Sequence, residues 1–257
     1  MELGAKINNM EIIYQLWLRQ VKKYFRSKSR IIGSLAQPLL FMLAFGFGFG
    51  PVFAKAGQGN YLEFLVPGII AMSIVFMSVF SGLEIIWDRQ FGFLKEMLVA
   101  PVGRMKIMFG RSLGGATVAS IQGLIVLCLS FFIGFRPDGI WAIVSAVFFM
   151  FLIAFIFTLL GIGIACLLKD FQAFQLIVNF LIMPLVFLSG AFFPLTGLPK
   201  ALLMVVKINP LSYGVDALRS CLVGFGHFNL LHSLTVLGAI TVVFLVVASY
   251  LFSKIEA

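Results

Sequence analysis

Residues 141–168 read WAIVSAVFFMFLIAFIFTLLGIGIACLL, a run of 28 positions without one charged side chain. Wound as a helix at 1.5 Å per residue, it reaches about 42 Å, more than the ~30 Å of a bilayer's hydrocarbon core. It shows no alternation of apolar and polar positions, so it does not read as a strand of a membrane barrel, whose segments alternate over about 10 residues. Backbone amides and carbonyls in lipid must bond within their own segment, which leaves a transmembrane α-helix.

Five further runs of this kind flank it, and together they predict spans near 31–53, 63–86, 107–134, 141–168, 173–193 and 231–252. The whole chain agrees. Of its 257 residues 61% are hydrophobic and 11% charged, against about half and a quarter in a soluble domain. Mean hydropathy is +1.08. A chain of this size cannot bury so much apolar side chain in a core of its own. The expected fold is all-α and polytopic, with six transmembrane helices. Residues 1–30 form a separate amphipathic segment ahead of a transmembrane domain over 31–257.

The net charge of +9 does not point to nucleic acid, because the basic residues lie in the connections between apolar runs rather than on one face. Fourteen of the 19 Lys and Arg fall on one side of the predicted topology and five on the other. The positive-inside rule then puts both termini in the cytoplasm, in a cell or inner membrane. Residues 1–30 lack the continuous apolar core of a signal peptide, so the first span is expected to direct insertion. Cys128, Cys166 and Cys221 form no CxxC or Cys/His spacing, so neither a metal nor another cofactor is expected.

Three connecting segments carry functional expectations. In residues 5–30, Ile13, Leu16, Trp17, Val21 and Tyr24 share one helical face, and Arg19, Lys22, Lys23 and Arg26 lie off it. That is the pattern of a helix lying in the headgroup layer, the alternative being a plain basic tail. Residues 87–111, WDRQFGFLKEMLVAPVGRMKIMFGR, hold a short helix opened by Gly92 and closed by Pro101 and Gly103. Phe93, Leu94, Met97 and Leu98 share its apolar face, with Lys95 and Glu96 off it, so either a partner or the membrane surface covers that face. Residues 194–230 are apolar but cut by Pro194, Pro199 and Pro210. Asn209 and Pro210 suit an N-cap and first helical position, and Gly224 or Gly226 a C-terminus. Two short helices dipping into the outer leaflet are predicted, the alternative being a loop with one interfacial helix.

The spans offer less. Glu84, Asp88 and Arg89 lie near the inner end of the second span, where solvation suffices to explain them, and Glu63 lies at its outer end. Gln122, Gln175 and Asn179 either line a pathway or bond a neighbouring helix. Gly46/Gly50 and Gly110/Gly114 have the spacing of close helix contacts and are candidates for a dimer seam.

Taken together, the basic amphipathic start, YLEFLVPG at 61–68, the 91–104 segment with LVAPVGR at 98–104, and NPLSYGVDALR at 209–219 resemble the permease subunits of type-2 ABC exporters. The wording of 98–104 is similar to the drug-resistance and nodulation-factor branch. The resemblance covers essentially the whole chain and implies three roles. Phe91, Gly92, Leu94, Glu96, Met97, Leu98 and Pro101 would form a coupling helix seated on a nucleotide-binding ATPase subunit. Residues 5–30 would be an interface helix on the same subunit, and Pro210, Tyr213, Asp216 and Arg219 would belong to an outer hairpin that closes the exit.

No GxxxxGK[ST] loop occurs, so ATP would be bound and hydrolysed by the partner rather than by this chain. Two copies, or one with a related permease, would enclose the pathway within membrane lipid for a hydrophobic or amphipathic drug, glycolipid or lipid-linked glycan. The competing classes are an ion-coupled secondary transporter, disfavoured because no carboxylate sits at a span centre, and a non-transporting membrane scaffold.

Overall fold

The computed structural model describes residues 9–55, 60–99, 102–195 and 199–255, and among them every regular element is a helix. The chain opens with α1 (Asn9–Arg26) and α2 (Lys28–Lys55). Ser27 separates them, its amide donating to the Tyr24 carbonyl while its own carbonyl accepts from Arg30. Next come α3 (Tyr61–Ser81) and α4 (Leu83–Gln90), then the short α5 (Phe93–Val99) and the long pair α6 (Arg104–Phe132) and α7 (Ile140–Leu167). The chain finishes with α8 (Phe171–Phe187), α9 (Lys200–Ile208), α10 (Pro210–Val223) and α11 (Leu230–Ser253).

Helix α3 is the axis of the bundle and touches α2, α6, α7 and α10. Its crossing with α7 is close because both contact points are glycine. A Cβ at Gly82, between α3 and α4, would strike the Gly161 backbone, and one at Gly161 would strike Val79. The outer helices bury little within the chain: α2 and α11 each bury 11% of their apolar stretch, against 78% for α3 with α4. Side chains such as Phe47, Leu40, Val246 and Val243 therefore face outward, as lipid-facing or partner-facing surfaces do.

Among the described residues five stretches are long and apolar enough to cross a membrane, namely Lys28–Phe53, Tyr61–Gln90, Arg104–Phe132, Ile140–Leu167 and Leu230–Ser253. The predicted span at 173–193 is shorter than expected. Its helix α8 has 17 residues, about 25 Å at 1.5 Å per residue. It stops at Phe187 because Gly190 takes φ +77° and turns the chain back, laying Ala191 under α3 where Gly68 leaves room for it. It crosses nonetheless. Arg89, at the far end of α4, donates to Leu168 O just before α8. At the other end Arg219 joins the Gly190 carbonyl just after α8 to the Phe64 carbonyl near the start of α3. One end of α8 thus lies beside each end of the α3–α4 rod, and the bundle has six crossings.

The predicted hairpin is present. Helices α9 and α10 meet at 82°, and Asn209 caps α10 by accepting from the Leu211 amide at 3.0 Å, with Pro210 at the first helical position. Gly224 closes α10 at φ +74°. Thr196–Leu198 lie outside the described residues.

Candidate functional site

The bundle has a basic end, with α1, α4, α5 and the close of α11, and a hairpin end, with α9 and α10. The basic end is organised by α1. Its Ile13–Leu16 turn lies on Gly110, its Trp17–Gln20 turn on Gly114, and the Trp17 indole donates to Thr117 Oγ1 at 3.0 Å. Gly110/Gly114 therefore receives the chain's own first helix, not a second copy. Tyr24 donates to Gln122 Oε1 at 2.7 Å, and Ser34 to the same oxygen at 3.1 Å. Burial raises the Tyr24 phenol above its ordinary pKa, with the nearby Arg30 charge opposing, so it remains a donor at neutral pH. Gln122 is thus a helix-bonding residue, whereas Gln175 and Asn179 sit on the exposed face of α8.

The carboxylates at the inner end of the second span are buried rather than solvated, a correction to the sequence reading. Glu84 meets Lys23 at 3.0 Å and Arg30 at 3.6 Å. Asp88 meets Arg19 at 3.7 Å and is paired with Arg111, itself buried on α6. The signal was in the sequence: Glu84/Asp88 and Arg19/Lys23 are both one helical turn apart, complementary in charge and able to pair in register. The network locks α1, α4 and α6 together. Buried charges need this matching, because either one without its partner is strongly destabilising.

Helix α5 hangs from that lock. Gly92, at φ +79°, makes the sharp turn between α4 and α5. Leu94 is fully buried in the chain's own core, and Met97 is half-buried, its sulfur 3.5 Å from Arg111 and 3.9 Å from Arg19. Of the predicted apolar face, Leu94 and Met97 are thus turned inward onto the chain's own residues, whereas Phe93 is exposed. The outward side chains are Phe91, Phe93 and Val99, with Lys95 and Glu96 beside them. The Leu98 side chain and Pro101 lie outside the described residues.

At the hairpin end, Tyr213, Asp216 and Arg219 each bond away from α10 rather than to one another. Tyr213 donates to Lys207 O at 2.8 Å and so fastens α9 to α10. Asp216 accepts from the amides of His227 (2.6 Å) and Phe228 (2.8 Å) and folds the 224–229 turn back on the helix. Arg219 donates to the carbonyls of Phe64 at 3.1 Å and Gly190 at 2.9 Å, with its guanidinium 3.9 Å from the Phe64 ring centre. Arg219 thus ties the hairpin to the mouth of the bundle, while Tyr213 and Asp216 hold the hairpin and its following turn together. Beside them opens a cavity of about 530 Å³, walled by Phe53, Glu63, Phe64, Asp216 and Arg219 among others. Among the described residues no group of His, Cys, Asp and Glu is arranged to hold a metal.

Six apolar crossings with α3 at their centre, a basic platform at one end and a tied hairpin at the other define a polytopic membrane protein. A family model described as ABC-2 type transporter matches residues 11–223, and the chain belongs to that family. It is 30% identical to a protein named as a transport permease, ycf38, of Cyanophora paradoxa, over 85% of this chain and 77% of that one. It is 26% identical to the inner membrane transport permease YadH of Escherichia coli K12, over 89% and 90%. It is 27% identical to nodulation protein J of Rhizobium leguminosarum bv. viciae, over 76% and 75%.

Proposed function

We propose that this chain is the permease subunit of an ATP-driven exporter. It pairs with a second copy or a related permease, and two separate nucleotide-binding ATPase subunits seat against its basic end in the cytoplasm. The observation that carries this reading is the mounting of α5. A seven-residue helix would not hold its shape alone, yet here Leu94 is buried in the chain's own core and the Met97 sulfur lies 3.5 Å from Arg111 of the lock, while Phe91, Phe93 and Val99 face outward. A rigidly held apolar knob outside the bundle suits a cleft in a partner. Movement of the partner would pass through α5 into the lock, and from there into α1, α4 and α6 together, rocking the spans. The 257 residues contain no phosphate-binding loop, so hydrolysis belongs to the partner. The mixed apolar and polar wall of the hairpin-end cavity suits an amphipathic cargo.

The test is co-purification from native membranes with wild type, Phe93→Asp and Lys95→Gln, followed by assay of ATP hydrolysis. Burying a side chain such as Phe is worth roughly 1.5–3 kcal/mol, so Phe93→Asp should lower ATPase recovery at least tenfold and Lys95→Gln should leave it near wild type. Equal recovery of an ATPase with all three chains would remove the coupling role from α5. Gradient-driven transport by this chain alone in liposomes would replace the reading with a secondary transporter.

A further inference from the structure

The elbow between α1 and α2 encloses an open concavity of about 840 Å³, walled by Arg19, Lys22, Lys23, Arg26, Lys28 and Ser29 among others, with no carboxylate on its wall. Its five cations divide into two sets. Lys23 answers Glu84 and Arg19 answers Asp88. Lys22, Arg26 and Lys28 are exposed and meet no carboxylate among the described residues. Three uncompensated cations gathered round one hollow repel one another and favour an anion.

The depth of the hollow selects the kind of anion. The apolar stretch of α2 begins at Ile31, directly after Arg30, and Ile32 is 71% exposed on a membrane-spanning helix. Ser27–Arg30 therefore sit where hydrocarbon gives way to headgroups. Along α1, Tyr14, Val21 and Phe25 fall on one flank at 100° per residue, and Arg19, Lys22 and Arg26 on the flank beside it. Tyr14 and Phe25 are more than half exposed. An acyl chain can lie against the first flank while its headgroup lies over the second.

We propose that the α1–α2 elbow is a binding site for the phosphate of an anionic phospholipid in the adjoining leaflet, with Lys22, Arg26 and Lys28 as its cationic ligands. The lipid neutralises the side of α1 that the lock does not reach, so it holds α1 in the position from which Arg19 and Lys23 meet Asp88 and Glu84. This needs only the membrane-spanning fold and not the ATPase, so its failure leaves the transport reading untouched, and the reverse holds.

The test titrates the full-length chain in detergent with phosphatidylglycerol or phosphatidylcholine and reads bound lipid by native mass spectrometry. Wild type should bind phosphatidylglycerol in preference. Each cation at an anionic surface is worth about fivefold at low ionic strength, so Lys22→Gln/Arg26→Gln/Lys28→Gln together should weaken that binding roughly 100-fold. A control with the same charge change elsewhere, Lys95→Gln/Lys200→Gln/Lys207→Gln, should bind as wild type does. The charge-preserving Lys22→Arg/Lys28→Arg chain should also retain the lipid, which separates lost charge from lost fold. Equal binding of both lipids by wild type would overturn the proposal, as would undiminished binding by the triple Gln chain. Displacement of the lipid by an equal concentration of inorganic phosphate would show a phosphate site that does not read lipid. Loss of a co-purified ATPase with lipid binding unchanged would assign the surface to protein.

Discussion

Asp88 sits between two arginines of unlike standing, and the difference sets their weights. Arg111 is 5% exposed at its side chain and Arg19 is 52% exposed. A half-exposed pair is screened and worth about 0–1 kcal/mol, while removing one member of a buried pair costs about 3–5 kcal/mol. Arg111→Gln should therefore lower the thermal stability of the purified chain far more than Arg19→Gln, as read by monodisperse protein remaining after a heating series. Equal losses would mean that solvent reaches Asp88 as freely as it reaches Arg19. The same contrast explains why Glu84 and Asp88 are tolerated at the end of a membrane helix at all. Each meets a cation from α1, and each has a second one, Arg30 of α2 for Glu84 and Arg111 of α6 for Asp88.

At the scale of elements, the α1–α6 contact rests on two glycines. A Cβ at Gly114 would stand 2.7 Å from the Gln20 side chain, and one at Gly110 would stand 3.0 Å from Leu16 Cβ. Gly114→Leu adds a whole side chain where no gap exists, so α1 must lift from α6 and the lock must open. Cysteines introduced as Trp17→Cys and Thr117→Cys, at the ends of a 3.0 Å hydrogen bond, should be bridged by a short bifunctional maleimide in an otherwise wild-type chain. The bridge should be lost when Gly114→Leu is added. Continued bridging would show that α1 is held by the ion pairs alone. Gly46 and Gly50 in α2 differ: a Cβ at Gly46 would stand 2.8 Å from Leu62 Cδ2, whereas nothing stands near Gly50, so only the Gly50 position stays open to lipid or to a second chain.

For the whole molecule, the unequal spread of positive charge predicts which end faces the cytoplasm. The basic end carries Arg19, Lys22, Lys23, Arg26, Lys95 and their neighbours, and the hairpin end carries Lys200, Lys207 and Arg219. With Cys128, Cys166 and Cys221 replaced by Ser, an impermeant thiol reagent on intact cells should label Lys200→Cys and spare Lys95→Cys and Lys254→Cys until the cells are opened. Labelling of Lys95→Cys from outside with none at Lys200→Cys would invert the protein in the membrane, and with it the direction of transport proposed above.

The crossings, the capped hairpin and the charge asymmetry were legible in the sequence because each depends on residues near one another along the chain. An uncharged run of 28 residues can only be a helix in lipid, and Asn209 with Pro210 starts a helix whatever surrounds it. The turn of α5 was not legible. A helical wheel shows that Leu94 and Met97 share a face, but not that Leu94 is buried in the chain's own core and Met97 lies against Arg111 instead of a partner. Nor could spacing tell that Gly110 and Gly114 receive α1, or that Tyr213, Asp216 and Arg219 bond in three different directions. Those outcomes depend on contacts between residues far apart in the chain, Arg19 with Asp88 or Arg219 with Phe64. Which element fills a groove or answers a buried charge is settled only when the helices pack together.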